Sequence, residues 1–336
     1  MSGILEGRVA IITGAGRGIG REHALMMAAQ GAKIVVNDLG AEMDGTGGGT
    51  GPAGEVVEEI RGMGGEAVVN GADVSDWEAA QGMINQAIET FGRLDILVNN
   101  AGILRDRMLT NMTEEEWDAV IRTHLYGHFN TIKPASILMR QQRGGRIINF
   151  SSISGLQGGT GQANYGAAKG GIAALTRVIA RDLGRYGVTC NAIAPGAQTR
   201  MTQSVPDSAR QLRARAGIAQ GGTQGQAPGG SQPVELRQPE VPNLHTAEHV
   251  APMTVWLCTP EAWNVNGKIF HVAGGTVGLA HEEVPANTIN RNDMWTLDEL
   301  ATLVPSSLMR GIQNPAPPAP DLDLPYRPAV APPPSA

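Results

Sequence analysis

The sequence predicts an α/β fold: a doubly wound parallel sheet of Rossmann-like type, in a single domain. Three observations carry this. Short apolar runs alternate with longer amphipathic stretches along most of the chain. Those runs are continuous rather than alternating in polarity, as strands buried on both faces require. A glycine-rich turn, Thr13-Gly14-Ala15-Gly16-Arg17-Gly18-Ile19-Gly20, joins the first apolar run to the first amphipathic one.

The elements follow in order. Arg8 to Thr13 (RVAIIT) reads as a strand, Gly18 to Gln30 as a helix and Lys33 to Asn37 as a strand. Glu55 to Arg61 is helical, Ala67 to Asn70 strand-like, Trp77 to Phe91 helical and Leu94 to Asn99 a buried strand. Thr113 to Lys133 predicts one long helix, with Thr113 as N-cap and three glutamates in its first turn. Arg146 to Ser151 and Val188 to Ile193 are strands that flank a helix over Ala163 to Tyr186. Ala247 to Cys258, capped by Thr246, is the last helix of the alternation, and Lys268 to Val272 its last strand. Three segments break the rhythm. Residues 40–54 form a Gly-rich loop, and residues 204–245 carry the run GGTQGQAPGGSQP and read as an insertion. Residues 312–336 hold nine prolines and read as a disordered or polyproline tail.

Composition excludes several classes. With 26 basic and 32 acidic residues the net charge is −6, which disfavours a general nucleic-acid binder. Two cysteines, Cys190 and Cys258, cannot make a disulfide framework and fit buried thiols in a reducing compartment. No apolar run reaches ~18 residues, and none of leader type precedes the glycine turn. The expectation is a cytoplasmic protein with no membrane or nucleic-acid partner.

The glycine turn is where chemistry begins. Gly14, Gly18 and Gly20 let backbone N–H groups approach a pyrophosphate, with Arg17 and Ile19 beside them, and the helix start favours its charge. Asp38 ends the second strand, 24 residues after Gly14, where a carboxylate accepts hydrogen bonds from the ribose 2′-OH of NAD. It would repel the 2′-phosphate of NADP. Arg17 would suit that phosphate, but it can swing into solvent, so Asp38 weighs more. Tyr165 and Lys169 stand four apart on one helix face, and Ser152 follows a strand end. Hydroxyl, phenol and ammonium thus converge at the carboxyl edge, where ligands of open α/β sheets bind. Alcohol oxidation by hydride transfer needs a base for the hydroxyl proton. Tyr165 with a neighbouring cation can supply it, while Ser152 orients the oxygen.

The segments TGAGRGIG, Asp73-Val74, Asn99-Asn100-Ala101-Gly102, Ser152, YGAAK and Pro195-Gly196 together resemble the short-chain dehydrogenases/reductases of the Tyr-x-x-x-Lys type. The resemblance spans roughly residues 5–275 and implies a catalytic set of Ser152, Tyr165 and Lys169, with Lys169 also holding the ribose. It implies that Asp73 and Val74 flank the adenine, that Asn100, Ala101 and Gly102 line the cofactor, and that Pro195, Gly196 and Thr199 meet the nicotinamide amide. His124 stands where the family usually carries an Asn whose backbone carbonyl holds a proton-relay water, so it joins the catalytic candidates. The spacing PGAQT is one residue shorter than the common form, which bears on Thr199. The insertion falls where the family closes its substrate lid. The implied organisation is residues 1–280 as a dinucleotide-binding domain with lid 204–245, then an extension over 281–311 and the tail over 312–336.

A narrower resemblance rests on VNDLG, VVEEIR, NNAGILRDR, WDAVIRTHLYGHF, GQANYGAAKGG and VAPMTVWLC. It is to the dehydrogenase region of peroxisomal multifunctional enzymes, and it implies NAD-linked oxidation of a 3-hydroxyacyl-CoA. The alternatives are an NADPH-linked 3-oxoacyl-carrier-protein reductase, a steroid or terpene alcohol dehydrogenase, and a non-enzymatic cofactor sensor. Family habit implies a homodimer or homotetramer. The i, i+4 pairs His124/His128 and His245/His249 lack a third ligand, so no metal is expected.

Overall fold

A computed structural model of the chain describes residues 3–197, 245–280, 285–292 and 294–312. The strands are β1 Val9–Thr13, β2 Lys33–Asn37, β3 Ala67–Asn70, β4 Ile96–Asn99, β5 Gly145–Phe150, β6 Val188–Pro195, β7 Ile269–Ala273 and β8 Thr276–Leu279. They form one sheet in the order β3-β2-β1-β4-β5-β6-β7-β8. All neighbours pair parallel except β7 and β8, which are antiparallel. Chain order reverses between β1 and β4, so the switch point lies there.

Continuous apolar strands put successive residues into opposite layers. Ile12, Ile34, Val36, Ile148 and Phe150 face one core, built with helices α1 (Gly18–Ala29), α2 (Gly51–Gly62) and the helix after the insertion. Ile11, Val35, Leu97 and Ile147 face the other, built with α3 (Trp77–Phe91), α5 (Gly127–Gln142) and α7 (Ala163–Leu183). Helix α4 spans Glu114–Ile121, α6 Ile153–Gln157 and α8 Ala251–Leu257. Cys190 and Cys258 are free and buried.

Several expectations are corrected. The single helix over 113–133 is longer and interrupted: α4, a π-helical turn over Arg122–Tyr126 and then α5. Its start is as expected, since Thr113 and Glu116 form a reciprocal capping box. Helix α2 begins at Gly51, inside the stretch read as loop. Pro52 in its first turn loses no bond there, because those N–H groups have no helical partner. Helix α7 ends at Leu183 and tightens to a 3-10 turn through Tyr186. Helix α6 and strand β8 were not expected. Gly274-Gly275 between β7 and β8 is the signal for the latter, as a two-residue glycine hairpin.

Two compact units are present, and each is described by itself. The larger holds the described residues up to 280. In the smaller, α9 (Leu297–Leu303) is opened by a Thr296/Glu299 capping box. The Asn287 side-chain amide donates to the Leu308 carbonyl at 2.8 Å.

His23 on α1 is fully buried against Phe150, ring centroids 5.2 Å apart, and neither ring nitrogen has a hydrogen-bond partner. Burial pushes its pKa down to about 3. Between pH 3 and 6.5 the unfolded chain therefore holds a proton that the folded chain does not, and stability falls as pH falls through that window. His23→Leu removes the buried unpaired nitrogens. It is expected to stabilise the fold by about 1–3 kcal/mol and to flatten the loss of Tm between pH 7.5 and 5. A variant with unchanged Tm and unchanged pH slope would contradict this reading.

Candidate active site

The phosphate turn is tied to its neighbours from both sides. Thr13 Oγ1 accepts the N–H groups of Asn100 and Ala101 at 3.0 and 3.1 Å. The Asn100 side chain donates to the carbonyls of Thr13 and Gly14 at 3.1 and 3.0 Å. Gly14 sits at φ +63°, and a Cβ there would lie 2.8 Å from Ala101 Cα. The fold thus brings TGAGRGIG and NNAG together.

The Asp38 carboxylate accepts Gly16 N–H at 2.8 Å with one oxygen and Gly40 N–H at 2.7 Å with the other. These bonds hold it beside the turn. Helix α1 starts at Gly18 with no side-chain cap and no acid in its first turn. Gly18, at φ +55°, is exposed and faces open space. An uncapped helix start with a side-chain-free approach and a carboxylate at its flank fits a dinucleotide. Asp73 and Val74 follow β3. The Asp73 carboxylate accepts Ser75 N–H at 2.8 Å, and the Asn130 side chain donates to the Val74 carbonyl at 3.0 Å. Pro195 ends β6, and Gly196 N–H donates to the Val272 carbonyl at 2.8 Å. Thr199 lies outside the described residues, as do the insertion over 204–244 and the tail from 313.

Ser152, Tyr165 and Lys169 come together. Ser152 caps α6, its hydroxyl accepting Ser154 N–H at 3.1 Å. It hydrogen-bonds the half-buried Tyr165 phenol, which lowers a pKa that burial and the Asp106 charge push up to about 12. Lys169 is buried, its Nζ donating to the Phe150 carbonyl at 2.6 Å and lying 5.5 Å from the Tyr165 ring centroid. Burial pushes its pKa down to about 7. With these neighbours alone the phenol keeps its proton at neutral pH, and Lys169 is near its own titration point.

His124 lies in the π-helical turn, a feature that often marks functional sites. Its ring meets the Tyr165 ring edge-on at 5.2 Å. Nε2 faces both the carbonyl and the N–H of Ile103, at 2.8 and 3.1 Å. Burial holds its pKa well below the ordinary value, so the ring is neutral. Its backbone carbonyl receives His128 Nδ1 at 2.6 Å. Gly102 has to be glycine, because a Cβ would sit 2.2 Å from His124 Cε1.

Two further residues of GQANYGAAK, Gln162 and Asn164, bond to neighbouring segments. Gln162 accepts from the Ser154 hydroxyl at 2.7 Å and donates to Asp106 at 2.8 Å. Asn164 donates to the carbonyls of Arg105 and Glu116, and its oxygen accepts Tyr165 N–H. Both are buried and seat the first turn of α7 against the loops after β4 and β5. Two amide side chains within three residues before Tyr165, which need partners if buried, are the signal that could have found them. Among the described residues, no group of three or more His, Cys, Asp or Glu is placed to hold a metal ion.

The family model for short chain dehydrogenase matches residues 8–210. A hydroxyacyl-CoA dehydrogenase of Mycobacterium tuberculosis, ChsB1, is 41% identical over 287 residues, covering 82% of this chain and 80% of that one. The mouse peroxisomal multifunctional enzyme type 2 is 41% identical over 287 residues, covering 85% of this chain, which spans only 34% of that enzyme. A crystal structure of a short chain dehydrogenase from Mycobacterium avium superposes with TM-score 0.73 at 45% identity. It covers 91% of this chain and 96% of that one.

Proposed function

The chain belongs to the short-chain dehydrogenase family, and from that premise we propose that it oxidises 3-hydroxyacyl-CoA thioesters with NAD. The observation that carries the reaction type is the convergence of Ser152, Tyr165 and Lys169 at the carboxyl edge of the sheet. A bound nicotinamide supplies the acceptor for a hydride from the substrate carbon. Ser152 orients the reacting oxygen, and Tyr165 takes the hydroxyl proton at its phenol oxygen, or returns it in the reverse direction. Lys169, when protonated, favours the phenolate and holds the ribose. His124 supports the Tyr165 ring and, through Ile103, the segment that lines the cofactor.

Asp38 supports NAD over NADP. Its two oxygens accept the Gly16 and Gly40 N–H groups, which keep the charge beside the glycine turn, and a carboxylate there would disfavour a 2′-phosphate. The acyl-CoA assignment rests on the similarity to ChsB1 and to the multifunctional enzyme. The Thr199 contact, a lid over 204–245 and a homodimer or homotetramer belong to the same proposal. The test is absorbance at 340 nm with both enantiomers of 3-hydroxyacyl-CoA at several chain lengths, with NAD and NADP in parallel. Turnover with NAD at least about 100-fold more efficient than with NADP is expected. Preference for NADPH with a 3-oxoacyl-carrier-protein would overturn the cofactor and substrate assignments together. Turnover of free steroids but no thioester would overturn the substrate alone.

A further inference from the structure

The loop between β2 and α2 runs from the carboxyl end of one strand to the loop of another. Leu104 N–H donates to the Met43 carbonyl at 3.0 Å, and Arg105 Nε donates to the Asp44 carbonyl at 2.8 Å. A Cβ on Gly45 would lie 3.2 Å from Ile103 Cδ1, so the tip rests on that side chain. The tip is organised from within. The Asp44 carboxylate accepts the N–H and hydroxyl of Thr46 at 2.9 and 2.7 Å, and Glu42 N–H donates to the Thr46 carbonyl at 2.7 Å. The base is closed by Gly49 N–H on the Leu39 carbonyl at 2.8 Å. Gly40 permits that closure, since a Cβ would lie 1.8 Å from the Gly49 carbonyl oxygen.

Strand β1 lies between β2 and β4 in the sheet. A segment that leaves β2 and docks on the loop after β4 therefore crosses the carboxyl end of β1, above the phosphate turn. A dinucleotide at the switch point occupies that same edge. We infer that residues 40–50 and Arg105 form a clasp across the cofactor groove, which retains the dinucleotide and opens to admit and release it. The inference rests on the dinucleotide reading above. The clasp is closed by hydrogen bonds to Leu104 and Arg105, by the attraction between Arg105 and the Asp44 carboxylate and by the touch on Ile103, and most of its tip is exposed, so it opens locally while the sheet stays folded. Arg105 acts as a positioning residue for the cofactor. Its carbonyl stays bound to Asn164 when the side chain is removed.

The test is the release rate of NADH from the full chain, followed by stopped-flow energy transfer from tryptophan during displacement by excess NAD. Arg105→Ala, which removes the bond from Nε to the Asp44 carbonyl, is expected to speed release by about 5-fold, the worth of one net hydrogen bond. Asp44→Ala, which removes the two bonds that hold Thr46 in the tip, is expected to speed it as well. NADH affinity should weaken in proportion, while Tm stays unchanged. Release rates equal to wild type in both variants would overturn the clasp alone. Failure of the wild-type chain to bind NADH would overturn the dinucleotide reading and the clasp with it.

Discussion

Tyr165→Phe is expected to lower kcat about 1000-fold, within the usual range for a lost general acid or base, while NADH affinity stays within a few-fold of wild type. The phenol hydrogen-bonds Ser152, which places it to exchange a proton with an oxygen that Ser152 holds. Burial holds the His124 pKa well below the ordinary value, and its Nε2 faces Ile103. The ring of the variant keeps its edge-on contact with His124, so the loss reads proton transfer rather than packing. The pH profile gives a second readout. Burial and Asp106 raise the phenol to about 12, so oxidation by the wild type should rise with pH as the phenolate becomes accessible. That rising limb should vanish in the variant. Equal loss of NADH affinity and of rate would instead assign Tyr165 to cofactor binding.

Gly20→Val is expected to abolish measurable cofactor binding and to destabilise the fold by several kcal/mol. A Cβ at this position would lie 2.2 Å from the Gly14 carbonyl oxygen and 2.6 Å from the Asn100 side-chain nitrogen. Neither neighbour can yield. Gly14 is fixed at φ +63°, and Asn100 is bonded to the carbonyls of Thr13 and Gly14. Helix α1 must then lift off the turn, which removes the N–H groups that face the phosphates. Gly18→Ala is the contrast, because open space surrounds Gly18 although its φ of +55° strains any other residue. It should cost about 1 kcal/mol in stability. Fluorescence titration with NADH and thermal melts of both variants check this. Retained binding in Gly20→Val would mean that the turn does not cradle the phosphates.

Much of this was legible in the residues. A strand run such as VAIIT, buried at every residue, declares itself, because a strand covered on both faces is mainly apolar. The spacing from Tyr165 to Lys169 and the strand–turn–helix context of TGAGRGIG encode geometry directly. Other features depend on contacts between distant segments. The π-helical turn at His124 covers only Arg122–Tyr126, a break too short to locate in an apolar stripe that has to be read over roughly 11–18 residues. The roles of Gln162 and Asn164 depend on loops 48 to 59 residues away, which no local pattern reports. The loop over 40–50 reads in sequence as a bare glycine loop, because its partners Leu104 and Arg105 lie beyond two helices, α2 and α3, and two strands, β3 and β4.

In the proposed reaction, hydride leaves C3 of a 3-hydroxyacyl-CoA for the nicotinamide. The most direct measurement uses 3-hydroxybutyryl-CoA deuterated at C3, with mass analysis of the cofactor after turnover. Reduced NAD one mass unit heavier, with a slower single turnover than the unlabelled substrate shows, is the predicted result. Reduced cofactor without the label, or no reduction of NAD by either enantiomer while another alcohol reacts, would contradict the account.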